Sequence, residues 1–214
     1  MIKTILFDVG GTLVDAPDLF KEISNNIETT FGITIEKELK NEFNNFYNSS
    51  KFYDVKTILD LIMKNILKNK CIEQSQIIAS HIYKDIFLNN SSLFDETKEI
   101  LDYLKNRNIG LIVVSDADSD VLIPELKKLK IYDYFDNFII SSDIKCYKTS
   151  REIIRHINPL LNGSRQEMLF VGDSNADVYA AKKLKIKSIF INRKGDDNKG
   201  DITIRSLLEI KKLI

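Results

Sequence analysis

The sequence of 214 residues predicts an α/β protein in which a doubly wound, mainly parallel sheet is interrupted by an inserted all-α segment. Two observations predict this class. Short, continuous apolar runs alternate with stretches of helical periodicity, as expected for a parallel sheet that is covered on both faces. One long stretch instead holds helical patterns alone, with no glycine between Gly32 and Gly110 and no proline between Pro17 and Pro124.

The predicted strands are short apolar runs, each of which stops at a polar residue or a glycine. The first, residues 5–7, stops at Asp8 and is followed by Gly10 and Gly11. Five further strands are predicted at residues 111–114, 138–140, 168–171, 188–191 and 202–204. Because most of these runs are apolar throughout rather than alternating, we expect both faces of the sheet to be buried.

Helical periodicity fills the intervals between the later strands. Apolar residues recur at helical spacing in residues 97–106 and 121–129, and two shorter crossovers are predicted at 150–157 and 176–184. Strand–helix–strand units of this kind build a doubly wound domain.

Four helices are predicted in the insertion that directly follows the first strand. Apolar side chains recur there in four groups, namely Leu19/Ile23/Ile27, Leu39/Phe43/Tyr47, Val55/Leu59/Ile62/Ile66 and Ile78/Ile82/Ile86. The sequence therefore predicts a core of residues 1–15 and 92–214, and a helical cap of residues 16–91. Because the chain leaves the sheet at Asp8 and returns near it, we expect the cap to cover the end of the first strand.

Composition excludes several classes of protein. The 31 Lys and Arg residues balance 31 Asp and Glu residues, so there is no basic surplus for nucleic-acid binding. No apolar stretch approaches the roughly 18 residues of a membrane span, and Asp8 comes too early for a secretory signal. Two cysteines, Cys71 and Cys146, and two histidines, His81 and His156, form no zinc or disulfide pattern. We expect a cytoplasmic monomer or small homo-oligomer.

Reactive side chains gather where predicted strands end. Ligands bind beyond the carboxyl ends of an open parallel sheet, and the residues there are Asp8, Ser115, Lys148, Asp173 and Asp177. Crowded carboxylates repel one another unless a cation lies among them, and Mg²⁺ prefers carboxylate and carbonyl oxygens. The set predicts phosphoryl transfer, in which Asp8 forms an acyl phosphate while Ser115 and Lys148 hold the phosphoryl oxygens.

Four motifs occur along the chain in a fixed order: residues 5–15 (ILFDVGGTLVD), Ser115 after the second strand, Lys148, and residues 170–177 (FVGDSNAD). In this order the chain resembles the haloacid dehalogenase-like (HAD) hydrolase superfamily, in its subclass with a helical cap after the first motif. The resemblance implies a HAD-like Rossmannoid core and a cap that closes over the site as a lid.

The resemblance also implies roles for matching residues. Asp8 and Lys148 would be catalytic together with Ser115, and the reaction would be Mg²⁺-dependent hydrolysis of a small phosphorylated metabolite. Asp177 would be a nearby metal ligand or would orient Lys148. The implied substrate-binding set is Ser115, Lys148, Gly11 and Thr12, and the implied metal-binding set is Asp8, the Gly10 carbonyl, Asp173 and Asp177.

Gly10 departs from the phosphatases of this superfamily, which have an aspartate two residues after the nucleophile. That aspartate protonates the leaving oxygen and later activates water, and such help contributes about 10² to 10⁴ in rate. Asp15, Asp116 or a cap residue could replace it. Gly10 also leaves open a catalytically impaired binding or regulatory protein.

Two other branches of the superfamily lack the second aspartate. A phosphonatase needs a cap lysine that forms a Schiff base, and Lys51 and Lys56 are in the right region. A dehalogenase takes an arginine from the cap, but the first arginine of this chain is Arg107. A phosphoacceptor receiver domain is disfavoured because its acidic pair precedes the phosphoacceptor.

Overall fold

The computed structural model describes residues 1–49, 51–69, 79–193, 195 and 199–214, and of residues 79–81 only the backbone. Its strands are β1 (Thr4–Phe7), β2 (Val14–Asp15), β3 (Ser92–Leu93), β4 (Gly110–Ser115), β5 (Asn137–Ile140), β6 (Met168–Gly172), β7 (Lys187–Ile191) and β8 (Ile202–Ile204). Its α-helices are α1 (Leu19–Phe31), α2 (Glu36–Tyr47), α3 (Val55–Asn69), α4 (Ala79–Asn90), α5 (Thr97–Asn106), α6 (Ser119–Lys128), α7 (Ser141–Ile144), α8 (Ile153–Ile157) and α9 (Asn175–Leu184). The predicted positions Cys71 and Ile78 lie outside the described residues.

Six strands form one sheet in the order β5-β4-β1-β6-β7-β8, and all neighbouring pairs are parallel. From β1 the chain builds one half of the sheet through β4 and β5, then returns to build the other half from β6. Side chains of β1 enter both cores, since Ile5 and Phe7 belong to one hydrophobic cluster and Leu6 to the other. This confirms the predicted doubly wound α/β fold and places its topological switch point at β1.

A short antiparallel ribbon, absent from the sequence prediction, joins the sheet to the inserted helices. In this ribbon Val14 of β2 pairs with Leu93 of β3, and Asp15 pairs with Ser92. The buried Thr97 hydroxyl donates a hydrogen bond of 2.7 Å to the Leu13 carbonyl. The chain therefore leaves for the helices and returns from them at one point, close to the end of β1.

Helices α1 to α4 enclose a hydrophobic cluster of their own. Its most buried members, each at most 2% exposed, are Ile23, Ile27, Ile35, Leu39, Ile58, Leu59, Ile62, Ile66, Leu67, Met63 and, from α6, Val121. Every member except Val121 comes from residues 16–91, which supports the proposed division of the chain into core and cap. Among the described helices, none combines the length and the apolar composition needed to cross a lipid bilayer.

We expect Ser24→Ala to lower the free energy of unfolding by about 1 to 3 kcal/mol, because it orphans a buried backbone donor. The buried Ser24 hydroxyl accepts a hydrogen bond of 3.1 Å from the Ile35 N–H, which precedes α2. Urea unfolding measures the change. Thr29→Ala is the control, because its exposed hydroxyl bonds only within α1. Equal destabilisation by the two substitutions would contradict this account of the cap.

Candidate active site

The candidate site lies at the switch point, beyond the carboxyl end of β1. Phe7 of β1 pairs with Val113 of β4 on one side and with Val171 of β6 on the other. Asp8 follows directly, and its N–H donates to the Val171 carbonyl at 2.9 Å. This register brings Asp8 to the same edge of the sheet as Ser115, which ends β4, and Asp173, which follows β6.

Lys148 links two of the predicted carboxylates. Its Nζ lies 2.8 Å from Asp8 Oδ1 and 2.7 Å from Asp177 Oδ1, and all three residues are at most 7% exposed. Burial lowers the pKa of Lys148, but the charges of Asp177, Asp8 and Asp116 outweigh it and hold that pKa well above its usual range. Lys148 therefore stays cationic and holds the Asp8 carboxylate in place.

Two glycines let the acidic side chains come this close. At Gly11, which has a φ of +75°, a Cβ would lie 2.3 Å from Asp173 Oδ2. At Gly172 a Cβ would lie 2.3 Å from the Asp177 carboxyl carbon. Any larger residue at either position would displace a carboxylate.

Thr12, which follows Gly11, has a structural role. Its side chain is fully buried and its Oγ1 donates to Asp173 Oδ1 at 3.2 Å. Neither Thr12 nor Gly11 is among the residues that line the cavity described below. Both shape the loop that follows β1 around Asp173, so their predicted contact with substrate stays a prediction.

Asp177 is held by its own helix as well as by Lys148. Its Oδ2 accepts hydrogen bonds from the Ser174 N–H at 3.0 Å and the Ser174 hydroxyl at 2.6 Å. In return, the Asp177 N–H bonds the Ser174 hydroxyl at 3.3 Å, which closes a capping box at the start of α9. With both oxygens engaged, Asp177 is well suited to fix the position of Lys148.

The three aspartates Asp8, Asp173 and Asp177 each place a carboxylate oxygen within 4.8 Å of the others. Burial raises the pKa of Asp8 well above its usual value, Lys148 opposes the rise, and Asp177 and Asp173 add to it. Burial and Asp177 likewise raise the pKa of Asp173. This much negative charge in a buried place favours a cation, and an all-oxygen donor set suits Mg²⁺.

A cavity of about 620 Å³ opens above these residues, between the core and the helical segment. Asp8, Gly10, Ser115, Asp116 and Lys148 lie in its wall, and most other lining side chains are apolar or aromatic. Such a pocket, with a few polar groups in an apolar wall, is typical of a small-molecule site.

Asp116 links the cavity to the helical segment through Tyr47 of α2. The Tyr47 hydroxyl donates to Asp116 Oδ2 at 2.5 Å, and the Lys148 N–H donates to Oδ1 at 2.8 Å. Burial raises the pKa of Asp116, although Lys148 and the Tyr47 hydroxyl oppose the rise. Asp15, the other acidic residue considered from the sequence, is exposed and absent from the lining residues.

The two candidate lysines for phosphonatase chemistry, Lys51 and Lys56, contact residues outside the cavity. Lys56 Nζ pairs with Asp120 at 2.6 Å, and this hydrogen bond raises the pKa of Lys56. Lys51 Nζ lies 4.8 Å from the centre of the Tyr53 ring. Neither is among the cavity-lining residues. A Schiff base requires a neutral amine facing the site, so this arrangement disfavours phosphonatase chemistry.

Sequence reasoning missed two residues of the cavity. It assigned Tyr47 to an apolar helix face without a role for its hydroxyl, and it passed over Glu125 of α6. Glu125 lines the cavity, is 3% exposed, and has one carboxylate oxygen, Oε1, without a hydrogen-bond partner among the described residues. The signal was available, since Glu125 lies within one helical turn of Val121, Leu122 and Leu126 on a buried face.

The sequence and the fold both resemble those of known proteins. Residues 5–191 match the family described as haloacid dehalogenase-like hydrolase. The chain is 28% identical over 225 residues to phosphoglycolate phosphatase of Nitrosococcus oceani, covering 99% of this chain and 96% of that protein. It is 23% identical over 190 residues to pyrophosphatase PpaX of Oceanobacillus iheyensis, covering 87% of this chain and 82% of that protein.

A solved structure shows the likeness of fold. The crystal structure of a HAD phosphatase from Thermococcus onnurineus superposes with a TM-score of 0.74 at 23% sequence identity, covering 99% of this chain and 97% of that one.

We expect Glu125→Gln to raise the free energy of unfolding above about pH 7 and to change it little near pH 4. Burial raises the pKa of Glu125 to about 7, against an opposing contribution from the Ser91 hydroxyl. An unfolded glutamate titrates near 4.3, so the folded state binds more protons between these values, and wild-type stability falls as the pH rises through them. Glutamine cannot ionise, so its advantage grows to about 3 kcal/mol above pH 7.

Urea unfolding at about pH 5 and about pH 8 measures this difference. Glu28→Gln is the matched control, because Glu28 is an exposed glutamate of α1. A Glu125→Gln effect of the same size at both pH values would contradict the assignment of a buried, titrating carboxyl.

Proposed function

The chain belongs to the haloacid dehalogenase-like hydrolase family, and we propose that it is a Mg²⁺-dependent phosphatase that forms an aspartyl-phosphate on Asp8. The observation that carries this proposal is the pairing of Asp8 with Lys148 Nζ at 2.8 Å in the wall of the cavity between the core and the helical segment. The relatives named above, a phosphoglycolate phosphatase and a pyrophosphatase, support a small phosphorylated substrate.

The acidic cluster fits a magnesium ion. Asp8 and Asp173, with the Gly10 carbonyl, would hold it, and Asp177 would stand beside them as a further ligand or as the residue that orients Lys148. When bound there, the ion supplies positive charge that offsets the phosphoryl oxygens. The fit rests on the clustered oxygens and on the raised pKa values of Asp8 and Asp173.

In the first step, an Asp8 carboxylate oxygen attacks phosphorus, and the bond between phosphorus and the leaving oxygen breaks. The leaving oxygen takes a proton and departs as an alcohol. In the second step, water gives a proton to the Asp116 carboxylate as it attacks phosphorus, the bond from phosphorus to Asp8 breaks, and inorganic phosphate leaves. Lys148 and the Ser115 hydroxyl bind the phosphoryl oxygens in both steps, because both line the cavity beside Asp8.

Asp116 is the proposed replacement for the acid that Gly10 lacks. It lies in the wall of the same cavity as Asp8, whereas Asp15 does not. Its raised pKa favours the protonated form that a general acid needs. Its contact with Tyr47 makes this acid depend on the position of α2, so closure of the helical segment would complete the site.

Asp8→Asn is expected to abolish phosphate release from nitrophenyl phosphate, because an amide cannot accept the phosphoryl group. Removal of divalent ions with EDTA is expected to abolish the wild-type rate, and Mg²⁺ is expected to restore it. Asp15→Asn serves as the control, since this exposed carboxylate lies nearby in the chain, in β2, and is absent from the cavity-lining residues. Equal rates for wild type and Asp8→Asn over a broad panel of phosphate esters would refute the proposed function.

Asp116→Asn is expected to slow hydrolysis of an alkyl phosphate by about 10²- to 10⁴-fold and that of nitrophenyl phosphate much less, because nitrophenolate leaves without a proton. Adding Gly10→Asp to Asp116→Asn is expected to restore the alkyl rate. There is room for this change, since a Cβ at Gly10 would meet its nearest neighbour, Ala16 Cβ, at 3.6 Å.

The same substitutions separate an active enzyme from an impaired binding protein. If Asp116 is the acid, Gly10→Asp alone should change the alkyl rate by less than about tenfold. A gain of several hundredfold from Gly10→Asp alone, or an equal loss on both substrates in Asp116→Asn, would overturn the role of Asp116.

A further inference from the structure

We propose that Glu125 binds a hydrogen-bond donor, a hydroxyl or an ammonium group, on the part of the substrate that lies away from the phosphate. This inference rests on the proposed function, because it assigns a second contact within the same cavity. It defines the substrate class as a phosphate ester with a largely apolar body and a donor at its far end.

Glu125 is buried without a sufficient hydrogen-bond partner. Its Oε1 and the nearby Ser91 Oγ are both buried, and neither makes a hydrogen bond of good geometry to a described residue, although Ser91 lies close enough to lower the pKa of Glu125. Buried polar groups in native proteins are hydrogen-bonded in the large majority of cases, and an orphaned acceptor destabilises the fold. A ligand that donates a hydrogen bond to Glu125 would remove this destabilisation. Such a ligand explains why a glutamate occurs on the buried face of α6.

Glu125 also lies apart from the charged cluster of Asp8, Lys148, Asp173 and Asp177. Ser119 begins α6 just after the carboxyl end of β4, and Glu125 comes six residues later, about 9 Å along the helix axis. Only burial and Ser91 affect the pKa of Glu125, with no contribution from the charges of Asp8 or Lys148. A substrate whose phosphate contacts Lys148 would therefore reach Glu125 only with its other end.

The cavity wall between Lys148 and Glu125 is apolar. Tyr83 and Phe87 of α4 line the cavity together with Val121 and Leu122 of α6. These aromatic and aliphatic side chains pack well against apolar groups of a substrate and carry no charge. The wall therefore favours a slender apolar body that joins the phosphate to the donor.

Two matched sets of probes test the inference in the presence of Mg²⁺. One set is a series of ω-aminoalkyl and ω-hydroxyalkyl phosphates of increasing chain length, and the other is the plain alkyl phosphates of the same lengths. Calorimetric binding is measured with Asp8→Asn protein, which cannot turn the probes over, and kcat/KM is measured with protein that keeps Asp8. Each measurement is repeated with Glu125→Gln, Glu125→Leu and the exposed control Glu28→Gln.

For probes of the same chain length, protein that keeps Glu125 is expected to bind the donor-bearing probe about 10- to 100-fold more tightly than the plain alkyl phosphate. This is the range expected for a hydrogen bond to a charged group. Glu125→Leu should lose the preference and keep its affinity for the plain probe. Glu125→Gln should keep a preference for the hydroxyl probe and lose one for the amine, which identifies the donor.

The inference is overturned if no chain length shows a preference, or if Glu125→Leu keeps the wild-type preference. The two assays separate it from the proposed function. Selective binding of donor probes without any turnover would support the role of Glu125 and refute the phosphatase, whereas turnover without selectivity would do the reverse.

Discussion

Lys148 lies between two buried carboxylates, and the rest of the site is arranged around the charge that it balances. Its Nζ is within 2.8 Å of both Asp8 and Asp177, and all three residues are buried. Removing one member of such a buried pair typically costs about 3 to 5 kcal/mol, because it strands the other charge. Two glycines and one capping box meet this constraint. Gly11 and Gly172 leave room for the carboxylates of Asp173 and Asp177, and the Ser174 capping box holds Asp177 beside the lysine.

The helical segment is tied to the core at the same edge of the sheet. Besides the bond from Tyr47 to Asp116, the Asp118 carboxylate accepts hydrogen bonds from the N–H groups of Val55 and Lys56, at 3.1 and 2.9 Å, where α3 begins. The segment therefore contacts the core through residues that directly follow Ser115. Under the proposed function, closure of this segment would exclude water from the cavity, and exclusion of water would strengthen the charge interactions inside it.

Much of this architecture is visible in the sequence, because continuous apolar runs and their polar ends are local signals. The six parallel strands and the placement of Asp8, Ser115 and Asp173 at strand ends all follow from such signals. The ribbon of β2 and β3 does not, since a strand of two residues has no periodicity and depends on a partner some 78 residues away. Tyr47 and Glu125 were missed for a related reason. Periodicity shows which helix face is buried, but it cannot show which polar atom on that face meets a partner.

The central claim is that Asp8 accepts the phosphoryl group. The most direct measurement is the mass of the peptide of residues 4–21, which trypsin releases by cutting after Lys3 and Lys21, from protein quenched in acid during turnover of nitrophenyl phosphate. Borohydride reduces an acyl phosphate to the alcohol and releases phosphate, so we expect fragmentation of this peptide to find homoserine in place of Asp8, and to find none in Asp8→Asn protein. Steady phosphate release with the phosphoryl group on another residue, or with none on any peptide, would contradict this claim.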